Sequence, residues 1–473
     1  MEFLVRFTQA HETFRVPELQ ALGEAEKVPI TVVSYRPESP FCIITAPDAQ
    51  AAVRLVRRAI LTQSIYEYWG SGATLDELHG AVKQRSSHLW EQHSGASWKF
   101  NIDSFQGTRA SGSRGELINT FRYMALRGPI QMKNPDQEFT IFEEWPLHSP
   151  LLGIKDPSRY HFGRYVGKGA RDLVARFDLK KRPYISTTSM DSELALVTAN
   201  MALAGPGRLF YDPFVGTGSF PIACSAFGAV SWGSDIDGRA VRGSGNDSRA
   251  EAKRGLVKGE KTLRGNFKHY GIAGRLGDVF TSDLTHTPLR RLPFRAAGAG
   301  SGSSGRRRLF DGIVCDPPYG VREGLRVLGC RDPEGKPWIV EAGHARHRDP
   351  DFVPPKKPYS FLTMLDDILH FATETLVDNG RLSFWMPTAN DEDQEIGVPT
   401  HPCLEIVAVC VQPFNKWSRR LITYRKLPDE SVDTSELEAW RSKAERQHVG
   451  TTADELNPYR KGYFNKFQAD AAP

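Results

Sequence analysis

The residues Asp316-Pro317-Pro318-Tyr319 end the apolar run "FDGIVC" with a carboxylate, two prolines and a phenol ring. Neither proline can donate a ladder hydrogen bond, and each restricts the residue before it, so a strand reaching Cys315 must stop here. The stiff turn that results carries two acceptors, the Asp316 carboxylate and the Pro317 carbonyl, suited to the two hydrogens of an exocyclic amine. Such a nitrogen is a poor nucleophile because its lone pair is delocalised into the base. Accepting both N–H groups favours a pyramidal nitrogen and aims the lone pair at an electrophilic methyl group, by positioning and electrostatics. Tyr319 is suited to stack on the base once that base has left its helix or loop. No strong general base is needed, since the amine becomes acidic after methyl transfer.

A pocket for the methyl donor is written upstream. In "YDPFVGTGSF" (211–220), Gly216 and Gly218 permit a tight turn at a strand's carboxyl end, where doubly wound sheets bind ligands. The stretch is not G-x-G-x-x-G and no Lys-Ser/Thr follows, so dinucleotide and P-loop readings are poor. Asp212 inside the turn suits an amine-bearing ligand better than a pyrophosphate. Asp235 closes "VSWGSD" and can accept from both ribose hydroxyls, while Asp237 is expected to cap the next helix. Asp278, read as the end of a third strand in "GRLGDVF", suits an adenine amino group. Three strand-end acids around a Gly-rich turn describe a pocket for an adenosine joined to an amino acid. S-adenosyl-L-methionine is the obvious occupant.

These residues need a scaffold, and 473 residues with 40% apolar and 25% charged side chains supply more than one globular domain. A net charge of +5 permits an anionic partner without demanding one. Six scattered cysteines with no C-x-x-C pair argue against a disulfide framework and a structural zinc site, so no metal site is expected. Glu2 and Arg6 interrupt the N-terminal apolar run, which is therefore no secretory signal, and no window reaches about 18 uninterrupted apolar residues. A soluble cytoplasmic protein with no membrane partner is expected.

Residues 1–155 mix short strands with helices, the longest helix being read over "APDAQAAVRLVRRAILTQSIYEYW" behind an Asp48 cap. "RGELINTFRYMALRG" is read as a helix closed by Gly128. Residues 156–182 are read as a basic linker with a helical stretch from 163. There Lys168, Arg171 and Arg176 recur near helical spacing and could track phosphates, a solvated helix face being an equal alternative. From 183 to 428, strand-like and helical runs alternate, which argues for α/β architecture with a parallel, doubly wound sheet and a final antiparallel edge hairpin. The Gly/Ser-rich insertion 295–308 and the basic loop 344–360 are read as solvated, and 429–473 as a polar helix and tail.

Taken with "HETFRVPELQALG" (11–23), "LKKRPYISTTSMDSELALVTANMAL" (179–203), "GNFKHYG" (265–271) and "CDPPYGVREG" (315–324), the motifs span nearly the whole chain. The chain resembles the eukaryotic THUMP-domain tRNA guanine-N2-methyltransferases that act on guanosine 10. The resemblance implies a THUMP domain in the N-terminal region that grips the tRNA acceptor end, followed by a class I (Rossmann-like) S-adenosylmethionine-dependent methyltransferase domain. It implies that Asp316, Pro317, Pro318 and Tyr319 form the catalytic tetrapeptide, with Asp316 also beside the cofactor. Thr187, Thr188 and Ser189 would meet the cofactor's methionine end, and Asp212, Phe214, Gly216 and Gly218 would line its turn. It also implies a heterodimer with a small zinc-binding activator subunit, any zinc being the partner's. Guanine over adenine rests on the resemblance, since the tetrapeptide serves any exocyclic amine. The alternatives are an amino-methyltransferase on adenine N6 or on ribosomal RNA guanine N2, and a non-catalytic RNA-binding scaffold.

Overall fold

The structure is a computed structural model that describes residues 1–149, 151–242, 261–292, 294, 308–320, 324–329, 340–341, 344–345, 355–389, 397–414, 417–444 and 455–457. Of the insertion 295–308 only Arg308 is described, and 346–354 of the basic loop lie outside the described residues. The chain divides into two compact units, Met1–Leu173 and Val174–Pro473.

The first unit is built on strands β1 (Glu2–Phe7), β2 (Thr31–Tyr35), β3 (Phe41–Thr45), β4 (Thr62–Gly72), β5 (Trp98–Phe105), β6 (Gln137–Glu144) and β7 (Arg159–Lys168). They form one sheet in the order β2-β3-β1-β4-β7-β6-β5, antiparallel except for β5 against β6. Helices α1 (Glu12–Ala25), α2 (Ala49–Val56) and α3 (Leu75–Ser86) accompany it. Asp48 does cap α2, accepting from Ala51 N at 2.7 Å, but the helix stops at Val56. The rest of the expected helix is β4, because Thr62, Ile65, Tyr66, Tyr68 and Trp69 are β-branched or aromatic and pair with β1 and β7. Ile60 and Ile65, which follow Ala52, Val53 and Val56 at helical spacing in the sequence, therefore never join a helical face. The next expected helix is also shorter: it runs Ser111–Asn119, and a single tight turn then ends at Ala125, φ 52°, before Gly128 is reached.

The largest correction concerns the basic linker. Residues 159–168 are not a helical connector but β7, an interior strand between β4 and β6. Two features hide it in the sequence. Gly163 weakens the strand pattern, yet a Cβ there would stand 2.6 Å from the Glu67 carbonyl, so glycine is what lets β4 approach. Arg164 reads as solvated, yet its Nη2 lies 2.6 Å from Glu67 Oε1 across the same pair of strands.

The second unit contains β8 (Leu209–Asp212), β9 (Val230–Asp235), β10 (Leu276–Thr281), β11 (Phe310–Cys315), the small pairs β12 (Arg326–Leu328) with β15 (Lys356–Pro358) and β13 (Val340–Glu341) with β14 (His344–Ala345), then β16 (Leu376–Ala389), β17 (Leu404–Pro413) and β18 (Trp417–Lys426). Its main sheet runs β10-β9-β8-β11-β16-β18-β17, parallel from β10 to β16, with β18 antiparallel to both neighbours. This is the expected doubly wound sheet with its antiparallel hairpin, and strand order reverses between β8 and β11, where such sheets open a crevice. Its helices include α4 (Ser192–Met201), α5 (Ser219–Ala226), α6 (Leu263–His269) and α7 (Phe361–Thr375). Met364, Leu365, Ile368 and Leu369 of α7 bury against Ile313, Leu382 and Phe384 of the sheet, which fixes the end of β11 that carries Asp316. Among the described residues no helix is long and apolar enough to cross a membrane.

Candidate active site

The turn between β8 and α5 needs its glycines. Gly216 (φ 47°) and Gly218 (φ 87°) both lie in the left-handed region that other residues enter at a cost. A Cβ on Gly216 would meet nothing nearer than the Phe214 carbonyl at 4.0 Å, so the outer side of the turn is open space. Asp212, the last residue of β8, is buried, and its Oδ1 accepts from Phe214 N at 2.9 Å. Burial above all, then the charges of Asp235 and Asp316, pushes its carboxyl well above the usual range.

Asp235 ends β9 and braces the same turn: Oδ2 accepts from Gly216 N at 3.0 Å and Oδ1 from Asp237 N at 2.8 Å. Burial raises its pKa too, against the two backbone donors. Asp237 starts the following helix with its carbonyl, which accepts from Ala240 N at 2.9 Å.

Asp316 follows β11 directly. Its Oδ1 accepts from the Tyr319 hydroxyl at 2.6 Å, and Arg419 Nη1 stands 4.0 Å from its Oδ2. Burial raises this carboxyl to about 6, with the Tyr319 hydroxyl and the Arg419 cation pulling the other way. Pro317 is buried and Pro318 exposed. The Tyr319 ring lies edge-on to Trp417 (6.4 Å, 74°), which itself stacks on Phe414 at 4.5 Å. Asn457 Nδ2 donates to the Tyr319 carbonyl at 2.8 Å, and Gly320 (φ 66°) turns the chain behind it.

The segment before α4 reaches the glycine turn through Ser189, whose hydroxyl lies 2.7 Å from that of Thr217. Thr187 and Thr188 are exposed beside it, and Phe214 is half-buried against the sheet core. A buried amide ties these parts together. Asn266 of α6 accepts from Tyr184 N at 2.9 Å and donates to the carbonyls of Tyr184 (2.8 Å) and Thr217 (3.1 Å).

Two expectations fail on geometry. Asp278 does not end a strand: it is the third residue of β10, exposed and paired with Arg264 at 2.7 Å. The strand begins only at Leu276 and runs on to Thr281, so the buried acid past its end is Asp283, which accepts from Thr285 N (2.8 Å) and Leu328 N (2.7 Å). Nor do Lys168, Arg171 and Arg176 share a helix face. Lys168 ends β7, Arg171 Nη1 donates to the Ile60 carbonyl at 2.9 Å, and Arg176 belongs to the second unit, where it approaches the Tyr270 carbonyl.

Sequence reasoning passed over Arg419, Trp417 and Asn266. The signal for Arg419 was strand alternation in "WSRRLITYRK", which sends it to the opposite face from Ser418 and Arg420, both buried. Among the described residues no cluster of His, Cys, Asp or Glu could hold a metal ion.

The family model described as "Tmrp11 THUMP N-terminal domain" matches residues 1–171. The chain is 40% identical to a protein of Saccharomyces cerevisiae named tRNA (guanine(10)-N(2))-methyltransferase, over 98% of this chain and 99% of that one. A protein of the same name from Schizosaccharomyces pombe is 34% identical over 90% of both chains. The human tRNA (guanine(10)-N(2))-methyltransferase TRMT11 is 33% identical, over 90% of this chain and 88% of its own. The chain belongs to the tRNA (guanine(10)-N(2))-methyltransferase family.

Proposed function

We propose that this protein transfers a methyl group from S-adenosyl-L-methionine to the exocyclic N2 of guanosine 10 in tRNA. The observation that carries the reading is the position of Asp316 and Pro317 after β11, beside the open glycine turn that Asp235 braces from β9. The residues present suit the cofactor. The turn at Gly216 has room for a ligand, Asp235 keeps acceptor capacity beyond its two backbone donors, and the buried charge of Asp212 is one that a cationic ligand would offset. Bound there, S-adenosyl-L-methionine supplies a methyl group on a positively charged sulfur. Ser189, with Thr187 and Thr188 beside it, would hold the methionine end, and Phe214 the wall of the turn.

Asp316 and the Pro317 carbonyl each accept one N–H of the amine, which fixes the lone pair toward the methyl group. Tyr319 must first swing its hydroxyl off Asp316, which frees the carboxylate and brings the ring against the base. After transfer the nitrogen is acidic, and its proton leaves through the partly exposed Asp316 to water. Lys168 and Arg176 remain candidate phosphate contacts, whereas Arg171 is occupied by the Ile60 carbonyl. The reading includes a THUMP-bearing first unit that grips the tRNA, a small zinc-binding activator subunit as partner, and a cytoplasmic location.

The test is methyl transfer from labelled S-adenosyl-L-methionine to unmodified tRNA, with nucleoside analysis, using the chain alone and with the activator. N2-methylguanosine is expected, falling by roughly a hundredfold or more in Asp316→Ala, the scale for removing a group that stabilises the reacting centre. Methylated adenosine would overturn the choice of base. No product even with the activator would overturn the enzyme in favour of a scaffold.

A further inference from the structure

Arg419 is held unlike an ordinary ion-pair partner. Its Nε donates to Gln412 Oε1 at 2.6 Å on the neighbouring strand, and its guanidinium lies over Trp385 (4.7 Å) and Phe414 (5.6 Å). The two acids it faces stop short of hydrogen-bond distance: Nη1 is 4.0 Å from Asp316 Oδ2 and Nη2 is 3.9 Å from Asp191 Oδ2. An arginine placed only to neutralise Asp316 would close to about 2.8 Å and use its fork on both carboxylate oxygens. Instead the aromatic and amide contacts fix a donor beside the acid, and the Tyr319 hydroxyl, which also meets Arg419, holds the place between them until it swings away.

The edge so formed has a definite order. It runs acceptor, acceptor, donor: the Asp316 oxygen that takes the reacting amine, the second Asp316 oxygen, and Arg419. The Watson–Crick edge of guanine runs donor, donor, acceptor, through its N2 amine, N1–H and O6. Adenine offers an amine followed by a bare N1, whose lone pair would face the Asp316 carboxylate. Resting on the proposed reaction, we infer that Arg419 is a specificity-determining residue that donates to O6 of the target guanine, so that Asp316 and Arg419 together read the base that the tetrapeptide alone does not.

The experiment uses tRNA carrying either guanosine or 2,6-diaminopurine riboside at position 10. The analogue keeps the N2 amine but replaces O6 with an amine and leaves N1 without a proton. Rates (kcat/KM) are measured with the activator present for the wild type, Arg419→Gln, Arg419→Lys and Asp316→Ala. The wild type should prefer guanosine by roughly a hundredfold, as expected of a site built to hydrogen-bond its substrate. Arg419→Gln should cut that preference by about tenfold, by slowing guanosine far more than the analogue, and Arg419→Lys should restore part of it. A preference left unchanged in Arg419→Gln, whether both rates fall or neither does, overturns the inference, since damage to folding or cofactor binding slows both substrates alike. That result beside an inactive Asp316→Ala leaves the reaction standing. A wild type that methylates neither RNA overturns the reaction and the inference together.

Discussion

At the scale of single residues, the site gathers three acids, Asp212, Asp235 and Asp316, at the ends of β8, β9 and β11. Burial raises the pKa of Asp212, Asp235 and Asp316 alike. An acid whose folded pKa lies above its unfolded value costs the folded state stability, which is lost as the pH rises from the unfolded pKa through the folded one, and costs nothing below both. Asp212→Asn should therefore raise the melting temperature of the ligand-free protein at neutral pH, by the few degrees that roughly 1 kcal/mol represents, while abolishing cofactor binding. Thermal unfolding with and without S-adenosyl-L-methionine checks both halves, and a variant that melts lower without ligand refutes the charge argument. Activity runs the opposite way with pH. Asp316 accepts the amine only when ionised, so the transfer rate should climb as the pH rises through about 6 and level off above it. Tyr319→Phe removes a hydroxyl that stabilises the ionised form in the free enzyme, so its acidic limb should move to higher pH in the pH profile of kcat/KM, which reports the state before Tyr319 swings away.

At the scale of elements, the glycine turn, the segment before α4 and helix α6 are held as one piece by Asn266. Its amide satisfies three backbone groups at Tyr184 and Thr217, and it is fully buried. Asn266→Ala would leave those groups unpaired at a cost of about 1–3 kcal/mol, and the segment carrying Ser189 would lose its register on the turn. Thermal unfolding together with cofactor titration should show weaker binding beyond what the lost stability explains. Unchanged affinity in a folded variant would mean that Ser189 and Thr217 hold the turn without the clamp. Much of this site was legible in the chain because strand ends announce themselves. An apolar run that stops at an acid put Asp212, Asp235 and Asp316 at strand ends, which is where the folded chain has them. Asp278 misled because its run is short and starts late, so the acid sits within β10 rather than past it. For Arg419 the strand alternation gave only the face, since a strand arginine otherwise reads as solvated, and Asn266 was not legible, since a helix asparagine reads as a surface residue. Their roles arise only when distant strands and helices meet.

At the scale of the whole molecule, the question is where one folding unit ends. The motif-based boundary at 155 places β7 in a linker, but in the folded chain β7 joins β4 to β6 in the middle of the first sheet. Without it, β6 would keep only β5 as a partner, and the pair would be cut from the other strands. The residues just beyond the strand also belong to this unit. Gly169 N donates to the Gln63 carbonyl, Ala170 N to that of Ala59 and Arg171 Nη1 to that of Ile60, at 3.1, 2.8 and 2.9 Å. The sequence hid this because the strand carries Gly163, Gly167 and Arg164 where a periodic apolar face would otherwise show. A fragment of residues 1–173 should therefore fold with a cooperative thermal transition and bind tRNA with a salt dependence set by its exposed basic residues. The fragment 1–155 should expose the buried edges of β4 and β6 and aggregate or remain unfolded. Circular dichroism melts of the two fragments decide the matter: a cooperative transition in the shorter one would mean that β7 is dispensable, and that the first unit closes its sheet in some other way.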